Sequence, residues 1–166
     1  CVHVIDDQEI ILNEIKKTKS NITIIIGGTG KSEDDINFDR FKLKIDGLDL
    51  KPGRPFKYFF RNDRLFLFFP GNPCSSFVLT NFLIKSLINK YCYNKFLEPD
   101  MIMDIKNIKY NFNKLTRKTF LFGFLQNKNV KVFKNQESSN FSNILYSNCL
   151  IYYDKTKDLK VFKLND

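Results

Sequence analysis

Five consecutive residues, Ile22, Thr23, Ile24, Ile25 and Ile26, are β-branched, and the run ends in Gly27-Gly28-Thr29-Gly30. Such side chains are stiff at χ1 and suit a pleated surface. A run with no polar alternation predicts a central strand covered on both faces, as in a parallel sheet. Asp6 and Asp7 can cap a helix over 8–19, with Ile11, Leu12 and Ile15 on its buried side. VHVI at 2–5 reads as a short buried strand ahead of it. Strand, helix, strand and glycine loop open an α/β domain.

An acidic segment, Glu33-Asp34-Asp35, predicts a helix or turn after the glycine loop. Residues 41–50 alternate like a strand, and KPGRP at 51–55 is a rigid turn with prolines bracketing Gly53. Strands are expected at 56–60 and 65–69, joined by a hairpin turn at Asn62-Asp63. Phe69 runs into Pro70-Gly71-Asn72-Pro73, and Ser75 and Ser76 start an amphipathic helix to Tyr91. Its apolar stripe is Phe77, Val78, Phe82, Leu83, Leu87 and Tyr91. Beyond Glu98-Pro99-Asp100 only short strands are read, at 101–110, 118–125, 130–134, 150–153 and 159–164. The expected domains are therefore 1–98, α/β, and 99–166, a small β-domain.

Glycine turns at the carboxyl ends of strands are where ligands collect in open α/β sheets. They let backbone N–H groups approach an anion. Strand, PGNP, Ser75-Ser76 and helix form a credible phosphate or oxyanion cradle, though any one such turn alone is more often just a turn. Asp6 and Asp35 each follow a strand or its loop and could hold Mg²⁺ or orient a hydroxyl. Asp6 reads equally as a helix cap and Asp35 as a solvated turn. Lys51 and Arg54 flank the Pro-Gly turn and could bind an oxyanion; the alternative is two surface cations in a Lys-rich chain.

Other chemistries lack their motifs. GGTGKS has one residue between its last two glycines, where a Walker loop needs four. No Ser lies in a G-x-S-x-G setting, and His3 is the single histidine. Cys1, Cys74, Cys92 and Cys149 form no CxxC pair, which argues against zinc, and Cys74 and Cys149 read as small core residues. Reduced thiols and the lack of a signal-peptide pattern fit the cytoplasm. No apolar run is long enough for a membrane helix. A net charge of +9 invites an anionic partner. However, the excess of Lys, Asn, Ile and Phe without Trp is also what A/T-rich coding produces. No Arg-rich helix or aromatic RNA-binding motif supports nucleic acid.

The ordered set Ile5-Asp6-Asp7, IIIGGTG with Asp35, KPGRPF and FPGNPCSS before a helix resembles the third domain of the MoeA/gephyrin-E family of molybdopterin molybdenumtransferases. QESSNFSNILYSNCLIYY at 136–153 resembles a segment of that family's C-terminal β-domain. The resemblance implies a partial MogA/MoeA-like three-layer molybdopterin-binding domain followed by a small β-barrel-like domain. It implies Mg²⁺-dependent insertion of molybdate into adenylylated molybdopterin with release of AMP. Asp6, Asp35, Lys51, Pro70, Pro73 and Ser138 match family positions tied to function. The glycine loop 27–30, Arg54, Gly71, Asn72 and Ser75 would line the molybdopterin-type ligand. Family lysine and arginine positions fall here at Gly47 and Phe122, and a family lysine at Arg54. The family's N-terminal domains are expected to be missing, and its full-length form to be a homodimer. GGTG also suits a MogA-like adenylyltransferase, while Gly47 and Phe122 suit a non-catalytic molybdopterin-binding remnant.

Overall fold

The computed structural model describes residues 3, 4, 7–30 and 35–164. Asp6 and Glu33-Asp34 lie outside these residues, as do Val2 and Ile5 of the segment expected to form the first strand. In chain order the elements are α1 (Gln8–Lys17), β1 (Ile22–Ile26), β2 (Ile45–Asp46), β3 (Leu50–Lys51), β4 (Lys57–Arg61), β5 (Arg64–Phe69), α2 (Pro73–Leu79), α3 (Lys85–Tyr93), β6 (Met101–Asp104), β7 (Lys118–Gln126), β8 (Asn129–Val132), α4 (Ser142–Tyr146), β9 (Cys149–Tyr153) and β10 (Asp158–Lys163). The chain divides into two compact units, Cys1–Leu48 with Arg54–Gly71, and Asp49–Gly53 with Asn72–Asp166. The expected boundary near residue 98 falls inside the second.

In the first unit the Asp7 carboxylate caps α1, accepting from the amides of Glu9 and Ile10, both at 2.9 Å. Glu9 in the first turn and Lys16 and Lys17 in the last complement the helix dipole. The sheet runs β1-β5-β4-β2. β1 and β5 are parallel, Ile22 opposite Leu65 and Ile26 opposite Phe69, and β5 and β4 form an antiparallel hairpin. Asn62 and Asp63 turn that hairpin with φ of 49° and 57°, as a primed turn requires. One face of the sheet carries a core of Ile15, Ile36, Phe59, Phe66 and Phe68. Phe59 stacks on Phe66 at 4.9 Å, and Phe38 meets Phe68 edge-on at 4.9 Å.

Two expectations are corrected here. β1 is not a central strand covered on both faces: among the described residues it ends the sheet order, and Ile22, Ile24 and Ile26 are exposed, Ile26 by 65%. A β-branched run fixes the extended backbone but not how many neighbours cover it. Nor is 41–50 one strand. Residues 38–40 form a 3₁₀ turn, and only β2 pairs with β4 before the chain turns at Gly47, φ +93°. The alternation of Phe41 and Leu43 records their packing against the core, not a ladder.

The second unit is a six-stranded sheet in the order β3-β7-β9-β10-β6, with β8 paired to β7. β3 joins β7 in parallel, and the other pairings are antiparallel. One face holds Leu121, Cys149, Ile151, Leu159 and Val161, covered by Ile108, Phe112 and Val132. The other face presents Phe120, Phe122, Tyr152 and Phe162 to the helix over residues 73–93. Phe77 lies 6.2 Å from Phe122, and Phe82 lies 4.8 Å from Phe120 and 5.6 Å from Phe162. Burying both faces of one sheet is what supports a unit this small. The long helix contains a π turn at Thr80–Ile84, where the Asn81 side chain donates to the Phe77 carbonyl at 3.0 Å. Val78 is buried as expected, but Tyr91 is 84% exposed, so the stripe outruns its cover. The short helix α4 was not foreseen.

Candidate functional site

In the first unit the structure brings two of the sequence motifs together. β1 and β5 are parallel neighbours, so the loops leaving their carboxyl ends, 27–30 and Pro70-Gly71, lie side by side. The Gly27 amide donates to the Phe69 carbonyl at 3.0 Å. A Cβ on Gly71 would meet the Gly27 Cα at 3.5 Å, ordinary contact. Gly27 and Gly28 have φ of +106° and +60°, a conformation that strains other residues. The Gly28 carbonyl accepts from the Ile36 amide at 2.9 Å, and the Gly30 amide donates to Asp35 Oδ1 at 2.9 Å. Thr29 and Pro70 are buried, while Gly30 and Gly71 reach solvent.

Asp35 therefore closes the glycine loop and is more than a solvated turn residue. Mg²⁺ takes oxygen ligands, keeps several waters, and needs only one or two carboxylates beside substrate phosphates. Asp35 supplies a donor of that kind, whereas no group of three or more His, Cys, Asp or Glu that could hold a metal occurs among the described residues. Asp6, the other expected ligand, lies outside the described residues. Arg54 is exposed, and its carbonyl accepts from the Leu48 amide at 2.9 Å. Gly47, where the family resemblance expects a lysine, turns the same loop, and a Cβ there would sit 3.3 Å from the Arg54 carbonyl oxygen.

The second unit holds Lys51, Asn72, Pro73, Ser75 and Ser138. Lys51 is exposed on β3, opposite Thr119 of β7, and its peptide bond to Pro52 is cis. Gly53 follows with φ +124°, buried so closely that a Cβ would lie 3.3 Å from Leu79 Cδ2. Pro73 occupies the first helical turn, where its missing N–H costs nothing. Asn72 caps the helix through Oδ1, which accepts from the Ser75 amide at 3.1 Å. Its Nδ2 donates to the Ser138 carbonyl at 2.9 Å, tying together residues 66 apart in sequence. Ser75 is buried and Ser138 half-buried.

Two further residues shape this region, and the sequence reading gave neither a role. Gln136 holds β7 like an extra strand: Oε1 accepts from the Phe122 amide at 2.8 Å, and Nε2 donates to the carbonyls of Phe122 at 2.9 Å and Phe133 at 2.8 Å. Asn143, 2% exposed, donates to the Asn135 carbonyl at 3.0 Å. Phe122, at the position of a family arginine, is 2% exposed beneath the helix. Burial pushes the Cys74 thiol up, and the Cys149 thiol up to about 12, so both are inert core groups.

The first unit is thus an α/β unit with paired loops at the carboxyl ends of parallel strands, and the second is a mainly antiparallel β unit. No protein-family model and no curated protein matches the sequence. Solved structures do match it. They include a molybdopterin biosynthesis MoeA protein from Pyrococcus horikoshii OT3, with 21% identity, a TM-score of 0.69, and 94% of this chain against 39% of that one covered. Another structure of the MoeA protein of that species gives 17% identity and a TM-score of 0.72, with 97% of this chain and 42% of that one covered. A molybdenum cofactor biosynthesis protein from Pyrococcus furiosus gives 18% and 0.65, with 95% and 55% covered. The chain thus has a fold found within MoeA-type proteins, and it spans about half or less of their length. Among the described residues no helix is long and apolar enough to cross a membrane.

Proposed function

We propose that this chain acts in molybdenum cofactor biosynthesis as a molybdopterin molybdenumtransferase, inserting molybdate into adenylylated molybdopterin with release of AMP. The observation that carries the proposal is the juxtaposition of Gly27–Gly30 with Pro70-Gly71 at the ends of β1 and β5, in a fold found within MoeA structures. Side-by-side loops at the carboxyl ends of parallel strands, with Gly30 and Gly71 open to solvent, suit close approach by the phosphates of a nucleotide-bearing substrate. Lys51 and Arg54 are exposed cations suited to an oxyanion such as molybdate. Ser138, half-buried in the second unit, is the further residue whose position the family resemblance ties to function. Asp35 and Asp6 would hold Mg²⁺, which when bound neutralises phosphate charge. In the complete protein a homodimer would supply the remaining walls of the site, and the cytoplasm is the compartment proposed.

A non-catalytic reading is favoured by two observations. Phe122 is buried beneath Phe77, and Gly47 is committed to a left-handed turn, so two basic positions of the family pattern are absent. The two readings separate by experiment. The purified chain, and the product of the complete gene that encodes it, would be supplied with adenylylated molybdopterin, molybdate and Mg²⁺, and AMP would be measured. AMP release, with restored molybdoenzyme activity in a host lacking the transferase, supports the enzyme. Bound molybdopterin without AMP supports the remnant. AMP transfer from ATP to molybdopterin would instead identify the adenylyltransferase, and the absence of all three would overturn every one of these readings.

A further inference from the structure

Helix caps are ordinarily interchangeable among Asn, Asp, Ser and Thr, because the cap needs only an acceptor. Asn72 does more than cap. Its Oδ1 accepts from the Ser75 amide at 3.1 Å, and its Nδ2 donates to the Ser138 carbonyl at 2.9 Å. Of the good capping residues, only Asn carries an acceptor and a donor on one planar group. We infer that Asn72 is a positioning residue whose carboxamide sets Ser138 and its loop against the start of the helix at Pro73. This deepens the function proposed above and rests on it for the role of Ser138.

The rest of the loop is fixed in the same way, by side chains and not by strand pairing. Gln136 anchors its start to Phe122 of β7, and Asn143 holds the Asn135 carbonyl from α4. The Cys74 thiol, beside Asn72 in sequence, reaches the Asn140 carbonyl at 3.7 Å. Within 136–140, the Asn72 bond ties the Ser138 carbonyl to the start of the helix. Losing it removes one hydrogen bond, which leaves the fold intact but lets the loop drift. A displacement of that kind is enough to weaken a binding site.

Asn72→Asp tests this cleanly, because aspartate keeps the cap acceptor and cannot donate to Ser138. Hydrogen exchange by mass spectrometry would be read for residues 136–141, with calorimetric binding of molybdate alone as probe. The expected result is unchanged helix content, exchange at 136–141 faster by about tenfold, and molybdate affinity lower by a similar factor. Asn72→Ser, which caps but is too short to reach Ser138, gives the same pattern and serves if the aspartate variant folds poorly. Ser138→Ala, which keeps the carbonyl and the backbone restriction but not the hydroxyl, lowers affinity with exchange unchanged. Unchanged exchange at 136–141 in both Asn72 variants overturns the inference, as does faster exchange with affinity intact. Faster exchange in a protein whose wild type binds no molybdate supports the tie and sinks the functional reading instead.

Discussion

Asp35 clasps the glycine loop at Gly30, whose amide donates to Oδ1 at 2.9 Å, while a Cβ on Gly30 would sit 2.5 Å from Oδ2. The loop's closure and its lack of a side chain at this position are one feature. Gly30→Ala is therefore expected to push the carboxylate away and destabilise the chain by about 1–2 kcal/mol, the worth of the hydrogen bond plus some repacking. Gly71→Ala, whose Cβ meets only ordinary contact, should change stability far less. Urea unfolding checks both. In an Asp35→Ala background the Gly30→Ala cost should nearly vanish, since a double-mutant cycle isolates their shared interaction.

Introducing the basic residues that the family resemblance expects at positions 122 and 47, one at a time, should harm the chain and not improve it. Phe122→Arg places a guanidinium at a site 2% exposed beneath Phe77, with Gln136 already committed to the Phe122 backbone. An unpaired buried charge of this kind costs about 3 kcal/mol or more. Gly47→Lys puts a side chain at φ +93°, a penalty of about 1–3 kcal/mol. Thermal unfolding of each variant should show a lower midpoint, with no gain in AMP release. A rise in activity from either substitution would count against the packing described.

What could be read from the sequence divides along physical lines. Turns were legible where a residue type is forced, as at Asn62-Asp63, the glycine loop and Pro73, because backbone conformation is a local property. The helix after PGNP and the late strands were legible from periodicity. Coverage was not. Ile22–Ile26 reads as central but is open on one face, and Tyr91 continues an apolar stripe past the sheet that would cover it. Phe41 and Leu43 alternate because they pack, without pairing. Of the candidate site, the sequence placed loops 27–30 and 70–73 each at a strand end, but their meeting follows from the parallel pairing of β1 with β5, which has no local mark. The ties from Asn72 to Ser138 and from Gln136 to Phe122 span 66 and 14 residues and left no local mark.

Gln136 carries the next prediction. Its amide satisfies the N–H and C=O of Phe122, whose side chain is buried. Gln136→Leu keeps similar bulk but leaves the Phe122 N–H without this partner, while the Phe122 carbonyl keeps the Phe133 amide at 3.1 Å, at a cost of about 1–3 kcal/mol. Gln136→Glu retains the acceptor for the Phe122 amide and loses the donors to Phe122 and Phe133, and should be intermediate only at low pH, where the protonated acid can donate again. The ordering of unfolding midpoints at acid and neutral pH is the measurement. Equal stability of all three proteins would show that β7 does not depend on this side chain.

Cys149 gives the chain a predictable alkaline limit. Burial lifts its thiol from an ordinary value of 9.0 to about 12 in the folded protein. Below 9 the thiol is protonated in both states, and its contribution is fully present. Between 9 and 12 the unfolded chain releases a proton that the folded chain retains, so stability falls as pH rises, at about 1.4 kcal/mol per pH unit for one such group. Cys149→Ala should reduce that slope, leaving the contributions of Cys74, Tyr110 and Tyr152, whose values burial also raises. The same burial predicts which thiols react. Cys92 is exposed whereas Cys74 and Cys149 are 0% exposed, so iodoacetamide at pH 8 should label Cys92 quickly and the other two only after denaturant is added, as peptide mass mapping would report. Rapid native labelling of Cys149 would contradict its place in the core of the β-domain.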